Sequence, residues 1–142
     1  MDLVILVGLP GAGKSSLYRE RFASTHVRVE DKRLIDAALK AGSSVVVDNT
    51  NPRRADRAPI IATARRHGAR VIGYFVDVST RAAVARNAVR TGQDKVPNVA
   101  IFTVAKRLEP PTLDEGFDEL YRVTIDEDRR FQLSPICAPG GE

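Results

Sequence analysis

A glycine-rich segment near the N-terminus has the residue types and spacing of a phosphate-binding loop. Residues 8–15 read GLPGAGKS and match the pattern G-x-x-x-x-G-K-[ST] without a mismatch. A buried apolar run precedes the segment and a predicted helix follows it, which is the context that this pattern requires. Because glycines lack a Cβ, the backbone N–H groups of such a loop can approach phosphate oxygens closely. The sequence therefore predicts a site for a nucleoside triphosphate with Mg²⁺.

The residues of this loop have distinct predicted roles. Lys14 supplies a point charge for the β- and γ-phosphates, the Ser15 hydroxyl is a predicted Mg²⁺ ligand, and Ser16 can add a hydroxyl near the α-phosphate. The remaining predicted ATP-binding residues act through their backbone and are Gly8, Gly11, Ala12 and Gly13. The loop does not indicate where the γ-phosphate goes. Water, a small metabolite, a nucleotide and a nucleic-acid end all stay open as acceptors.

A carboxylate beside Mg²⁺ is the second requirement of a phosphate-loop site. Asp48 ends the apolar run Val45–Val47 and could hold a Mg²⁺-bound water or the Ser15 hydroxyl. The competing interpretation is an aspartate that caps the turn before Pro52.

A kinase also needs a base for its acceptor hydroxyl. Asp31 follows a short strand candidate and opens a helix, which in a doubly wound sheet places it at the carboxyl edge beside the phosphate loop. A simple helix cap is an equally open interpretation, and Glu30 is a rival carboxylate.

Two arginines are spaced to lie on one helical face. Arg86 and Arg90 stand at i and i+4, just before the loop at residues 91–94. On a hinged lid they would neutralise the charge of a transferring phosphoryl group. The alternative is a solvated, arginine-rich helix face, which the nearby Arg81 favours.

Apolar runs and helical patterns alternate along the chain. The predicted strands are residues 3–7, 26–29, 45–47, 71–78 and 121–125. The predicted helices are residues 14–23, 31–41, 52–67, 80–90 and 97–108. This order predicts an α/β chain with a P-loop NTPase fold: a parallel sheet of about five strands, helices on both faces and a small helical lid. We expect one kinase-type domain over residues 1–142, with a loose tail from about residue 129.

Composition narrows the class of protein. The chain has 142 residues, of which 43% are hydrophobic and 28% charged, as in a globular domain. The single cysteine, Cys137, excludes an intrachain disulfide and favours a reducing, cytoplasmic location. The apolar run Leu3–Val7 is too short for a signal peptide or a bilayer span. Secretion, membrane insertion and a disulfide scaffold are therefore not expected.

Charge is unevenly distributed. Residues 52–95 carry ten Arg/Lys against three Asp/Glu, whereas residues 109–128 carry eight Asp/Glu against one Arg. The basic segment could meet an anionic partner such as a nucleic-acid strand, with salt-sensitive binding. Alternatively, the two segments are solvated faces that offset each other.

Together these features resemble the kinase half of the polynucleotide kinase–phosphatase family. The matching stretches are VVVDNTNP at residues 45–52, RNxxR at 86–90, KVP at 95–97 and EPPTLDEGF at 109–117. The resemblance covers about residues 3–120. It implies transfer of the ATP γ-phosphate to a 5′-hydroxyl of DNA or RNA, with Asp31 as general base and with Arg86 and Arg90 as lid arginines on the ATP phosphates. Glu30 departs from the family, which often has arginine before the base.

The sequence as a whole thus predicts an ATP- and Mg²⁺-dependent polynucleotide 5′-hydroxyl kinase with nucleic acid, and no membrane, as its partner. Two alternatives stay open. One is a small-molecule or nucleotide kinase of the same fold, and the other is an NTP-binding regulatory module.

Overall fold

One mixed sheet organises the structure, which is a computed structural model that describes residues 1–92 and 95–137. In this part of the chain six strands are arranged in the order β2-β3-β1-β4-β5-β6. The strands are β1 (Asp2–Val7), β2 (Val27–Val29), β3 (Val45–Val47), β4 (Arg70–Val76), β5 (Glu119–Ile125) and β6 (Phe131–Pro135). The first five are parallel, and β6 pairs antiparallel with β5.

Helices connect the strands and cover both faces of the sheet. They are α1 (Lys14–Arg21), α2 (Ile35–Lys40), α3 (Arg54–Arg66), α4 (Thr80–Ala88) and α5 (Asn98–Arg107), with 3-10 turns at Lys32–Leu34 and Leu113–Glu115. Helices α2 and α3 contribute to one core cluster, and α1, α4 and α5 contribute to the other. Among the described residues, no helix is both long enough and apolar enough to cross a bilayer.

The central strand β1 explains why its sequence is a continuous apolar run. Leu3, Ile5 and Val7 point into one core cluster, whereas Val4 and Leu6 point into the other. All five side chains are buried. A strand with helices on both sheet faces has no solvent side, so the polar alternation of a half-buried strand is missing.

The sheet order places the predicted functional segments together. Strands β3 and β4 flank β1 on opposite sides, so the order in which strands are added reverses at β1 and creates a switch point at its carboxyl end. The phosphate loop follows β1, Asp48 follows β3, and Asp31 follows β2 by two residues. Ligands of open α/β sheets bind in the crevice at such a switch point.

The predicted α/β class with a mostly parallel sheet is confirmed, with corrections at the element ends. The region from residue 129 was expected to be loose, but residues 131–135 form β6. Helix α4 ends at Ala88, so Arg90 lies just beyond it rather than on the same helical face as Arg86. Residues 93–94 of the predicted loop at 91–94 lie outside the described residues. Residues 138–142 of the predicted tail also lie outside them.

The basic and acidic segments lie against each other. The ion pairs that join them are Arg54–Asp114, Arg57–Glu115, Arg65–Asp118, Arg70–Glu119 and Asp77–Arg122. These pairs neutralise four arginines of the basic segment, Arg54, Arg57, Arg65 and Arg70. Contact of the basic segment with a nucleic-acid strand stays a prediction.

Candidate active site

The phosphate loop has a backbone that requires its glycines. Gly11 and Gly13 have φ angles of 82° and 106°, in the left-handed region that disfavours other residues. A Cβ on Gly11 would also lie 2.7 Å from the carbonyl oxygen of Ala83 in α4. The close approach of α4 therefore fixes the loop, and Gly13 directly precedes the first turn of α1.

Lys14 is buried within the loop. Its Nζ donates hydrogen bonds to the carbonyl oxygens of Gly8 at 2.9 Å and Leu9 at 2.7 Å. Burial lowers the pKa of Lys14 from 10.5 to about 8; the Asp48 carboxylate opposes this effect and the positive charge of Arg90 adds to it. A bound polyphosphate would supply the opposite charge that this ammonium group lacks.

Ser15 and Asp48 are in contact, as the sequence analysis predicted. The Ser15 hydroxyl donates to Asp48 Oδ2 at 3.0 Å, and the carboxylate side chain is only 4% exposed. Arg28, which the sequence analysis did not single out, donates from Nε to the same Oδ2 at 2.6 Å. A hydroxyl and a carboxylate are the hard oxygen ligands that Mg²⁺ prefers, and the guanidinium shows that this position accepts a cation.

Within residues 1–92 and 95–137, no group of three or more His, Cys, Asp and Glu side chains is arranged to hold a metal ion. Mg²⁺ is commonly bound through one or two protein oxygens together with substrate phosphates. The Ser15–Asp48 pair suits that mode of binding.

Asp31 has the capping role that the sequence left open, and its role as a base stays a prediction. It precedes the 3-10 turn at Lys32–Leu34, and its Oδ1 accepts a hydrogen bond from the backbone N–H of Arg33 at 2.9 Å, as a capping residue does. It also forms an ion pair with the Arg33 side chain at 2.7 Å. Hydrogen bonds from Arg33 lower the pKa of Asp31 to about 2, so the exposed carboxylate is ionised at neutral pH. The competing Glu30 instead pairs with Arg28.

Arg86 of α4 contacts the phosphate loop through its side chain. Its Nε donates to the carbonyl oxygen of Gly11 at 3.0 Å, and burial together with the positive charges of Arg90 and Arg129 lowers its pKa. The neighbouring Asn87 is buried and exchanges hydrogen bonds with the backbone of Val96. This amide clamp links α4 to the segment before α5.

A cleft of about 1000 Å³ opens beside the phosphate loop. Arg86, Val89 and Arg90 border it on one side, and the β5–β6 hairpin contributes Ile125, Arg129 and Phe131. Strand β5 of this hairpin was predicted from the sequence, but β6 was not, because a loose tail was expected from about residue 129. The apolar/polar alternation from Phe131 to Leu133 is the signal that could have found the strand. The cleft has the size and charge for a nucleotide.

A second pocket of about 260 Å³ lies next to the Asn49–Arg53 turn. Lys32, Pro52, Val104 and Arg107 are among its lining residues. One of these lining residues, Lys32, directly follows the candidate base Asp31 in the sequence. The sequence analysis did not predict this pocket, because α5 contributes through residues more than 50 positions away from the turn.

The turn after Asp48 is attached to the phosphate loop. The Thr50 carbonyl accepts from Gly8 N–H at 3.1 Å, and the buried Asn51 side chain donates to the Leu6 carbonyl at 2.8 Å. Asn51 has a φ of 42°, a left-handed conformation that asparagine tolerates.

A buried ion pair between Arg57 and Glu115 packs against this turn and stabilises it. The fully buried Arg57 donates to Asn51 O at 2.9 Å and to both carboxylate oxygens of Glu115 at 2.8 and 3.0 Å. Neither partner was predicted as a site residue, and their role here is to position the turn.

A phosphate loop at the switch point of a parallel α/β sheet, with a carboxylate at its hydroxyl and arginines around it, defines a P-loop NTPase-type fold. A model of the family described as AAA domain matches residues 30–111, which is more than half of the chain. The chain belongs to this family. The matched range includes Asp31, Asp48, Arg86 and Arg90.

Curated relatives indicate the kinase branch of this fold. The chain is 30% identical over 135 residues to a bifunctional polynucleotide phosphatase/kinase of Schizosaccharomyces pombe, covering 86% of this chain and 33% of that protein. It is 25% identical over 162 residues to an L-seryl-tRNA(Sec) kinase of Methanococcus maripaludis, covering 94% of this chain and 62% of that protein. The chain thus spans one to two thirds of the length of these relatives.

Solved structures agree on the fold. Kti12 of Chaetomium thermophilum, in complex with ADP-AlF3, superposes with a TM-score of 0.65 at 18% identity, covering 89% of this chain and 92% of that one. At that identity the likeness shows the fold alone. The expectation from the sequence is confirmed at the level of a P-loop kinase-type domain.

Proposed function

We propose that this chain is an ATP- and Mg²⁺-dependent polynucleotide 5′-hydroxyl kinase. The observation that carries the proposal is the presence of two pockets at one sheet edge, a nucleotide-sized cleft beside the phosphate loop and a smaller pocket that is lined by Lys32, the residue after Asp31. The names of both curated relatives described above pair a kinase with a nucleic acid: one is a polynucleotide phosphatase/kinase and the other is an L-seryl-tRNA(Sec) kinase. The proposed setting is the reducing cytoplasm.

The donor nucleotide occupies the larger cleft in this proposal. Its phosphates meet the loop N–H groups and Lys14, and its nucleoside lies toward the β5–β6 hairpin. Ser15 and Asp48 hold Mg²⁺, the latter through a water. When bound there, Mg²⁺ would supply positive charge that neutralises the phosphates of the nucleotide.

Arg86 and Arg90 stabilise charge on the transferring phosphoryl group. Arg86 already bonds to the loop at Gly11, so its guanidinium needs little reorganisation before transfer. Because Arg86 is partly buried near the positive charges of Arg90 and Arg129, binding of an anionic phosphate beside it is favoured.

Asp31 orients the 5′-hydroxyl and accepts its proton. Its depressed pKa keeps the carboxylate ionised, so the base is in the required state at neutral pH. The Arg33 side chain restrains this carboxylate through three hydrogen bonds, from Nε to both carboxylate oxygens and from Nη2 to Oδ2.

The smaller pocket receives the terminal nucleotide of the acceptor. Pro52 and Val104 give it an apolar surface for the sugar or base, and Lys32 and Arg107 supply positive charge for the adjoining phosphate. This local charge supplements the basic segment as a source of nucleic-acid affinity. Arg107→Gln should therefore raise the KM for an oligonucleotide, whereas Arg65→Gln, which removes an arginine paired with Asp118, should not.

The decisive experiment is transfer of labelled γ-phosphate from ATP to a 5′-hydroxyl oligonucleotide with Mg²⁺. Asp31→Ala should reduce turnover by about 10²-fold or more, because it removes the base. Asp36→Ala is the matched control, since this aspartate lies on α2 and pairs with His67 away from both pockets. Near-normal turnover of Asp31→Ala would exclude the proposed base.

The relatives also favour one second candidate, a kinase of a hydroxyl attached to tRNA. Seryl-tRNA should then be labelled on the amino acid, and a plain 5′-hydroxyl oligonucleotide should not be labelled. Label on nucleosides or small metabolites alone would indicate the small-molecule alternative. Nucleotide-dependent partner binding without transfer would indicate a regulatory module.

A further inference from the structure

Arg28 occupies the position where a metal would meet the protein. Its Nε lies 2.6 Å from Asp48 Oδ2, and its Nη2 lies 3.3 Å from Ser15 Oγ. The same Oδ2 accepts the Ser15 hydroxyl at 3.0 Å. The guanidinium therefore bonds to both protein groups that are proposed to hold Mg²⁺.

Asp48 needs a positive partner when no metal is present. Its side chain is almost fully buried, and a buried carboxylate without a counter-charge is strongly disfavoured. Arg28 supplies that charge. A divalent ion at the same place would lie beside the guanidinium, and like charges at such short range repel each other.

Arg28 has a second anionic partner available. Its Nη2 donates to Glu30 Oε1 at 2.7 Å, and Glu30 is exposed beyond the end of β2. The Arg28 side chain is itself 39% exposed, so it can move without opening the core. Arg28 and Arg86 both line the nucleotide cleft.

We propose that Arg28 is a displaceable counter-ion of Asp48 that competes with Mg²⁺, and that Glu30 holds Arg28 after displacement. The inference rests on the donor half of the proposed function, namely the metal role of Ser15 and Asp48. Arg28 is then a positioning residue that sets the Mg²⁺ concentration at which the nucleotide site fills.

The test measures binding alone, without any acceptor. A fluorescent ATP analogue is bound to the whole chain, and Mg²⁺ is titrated to obtain the half-saturating concentration. Arg28→Gln should lower that concentration by about three- to tenfold, because one charge next to the metal is removed. Arg21→Gln is the matched control, since it removes an exposed arginine of α1 that pairs with the adjacent Glu20.

A double-mutant cycle separates the role of Glu30 from simple attraction of Mg²⁺. Glu30→Gln should raise the half-saturating Mg²⁺ concentration in the natural sequence and leave it unchanged in the Arg28→Gln background. An equal effect in both backgrounds would overturn the role given to Glu30. Arg28→Lys keeps the charge and should stay close to the natural value.

Two other results would contradict the inference, and they differ in what they imply for the metal site. An unchanged or raised half-saturating Mg²⁺ concentration in Arg28→Gln, together with a weakened metal dependence in Asp48→Asn, would overturn the competition and leave the metal site intact. No change in Asp48→Asn would overturn the inference together with the donor-site assignment. Neither result depends on which hydroxyl accepts the phosphate.

Discussion

Nucleotide binding should take up a proton through Lys14. This lysine is buried against two loop carbonyl groups, and its pKa lies at about 8 instead of 10.5. This decrease in pKa means that burial destabilises the ammonium form relative to the neutral amine by about 3 kcal/mol. The phosphates of a bound nucleotide restore that preference, because an opposite charge at short range favours the charged form.

The size of the effect follows from this pKa. The protonated fraction of Lys14 falls from about nine-tenths at pH 7 to about one-tenth at pH 9. If the ammonium form alone binds nucleotide, the apparent Kd should rise about tenfold over this interval. A lysine with the ordinary pKa of 10.5 would change it by only about 3%.

Isothermal titration calorimetry with ATP and Mg²⁺ measures both quantities. Titrations in two buffers of different ionisation enthalpy give the number of protons taken up, which should approach one at pH 9. Lys14→Gln is the control, because any pH dependence that it retains belongs to the nucleotide or to other groups. A Kd that stays constant to pH 9 in the natural sequence, with no proton uptake, would refute the reasoning.

Three further predictions concern the base, the buried ion pair and the phosphate loop. Arg33→Gln removes the group that holds the pKa of Asp31 at about 2, so the acid limb of the pH–rate profile should move to higher pH as the carboxylate protonates earlier. Arg57→Met leaves the buried Glu115 carboxylate without its partner and should lower the free energy of unfolding by about 3–5 kcal/mol in urea denaturation. Gly11→Ala should weaken nucleotide binding by at least about tenfold, because its Cβ would overlap a carbonyl of α4 and its φ of 82° is strained.

Each of these has its own control. Lys40→Gln, on the exposed end of α2, should leave the acid limb in place. Replacing both Arg57 and Glu115 with methionine should recover part of the stability that Arg57→Met loses. Gly42→Ala shares the positive φ but has no neighbour within 4 Å of the new Cβ, so nucleotide affinity should be retained. A fixed acid limb in Arg33→Gln, a double variant no more stable than the single one, or equal nucleotide affinity of both alanine variants would contradict the corresponding prediction.

The hairpin β5–β6 lines the nucleotide cleft together with α4. Ile125 of β5 lies 3.4 Å from the position of a Cβ on Gly13. The proposed donor site thus includes both the first and the last elements in the described part of the chain. Removal of residues beyond Asp126 should weaken nucleotide binding even though the phosphate loop is intact.

The sequence by itself determined the features whose causes are local. The phosphate loop could be read from eight consecutive residues, because its function depends on glycine conformations and on adjacent Lys and Ser side chains. The β1 and β3 strands could be read from uninterrupted apolar runs, which only a sheet covered on both faces requires. The cap at Asp31 followed from a side chain that can bond to a nearby backbone N–H group.

Only the tertiary structure decided which distant groups meet. Arg28 and Asp48 are 20 residues apart, and Arg57 and Glu115 are 58 apart, so their pairing depends on the order of strands in the sheet. Periodicity gives each segment its local conformation but does not state which neighbours it acquires. That order brings the basic and acidic segments together and forms the second pocket. It also places the Arg28 guanidinium against the candidate metal ligands.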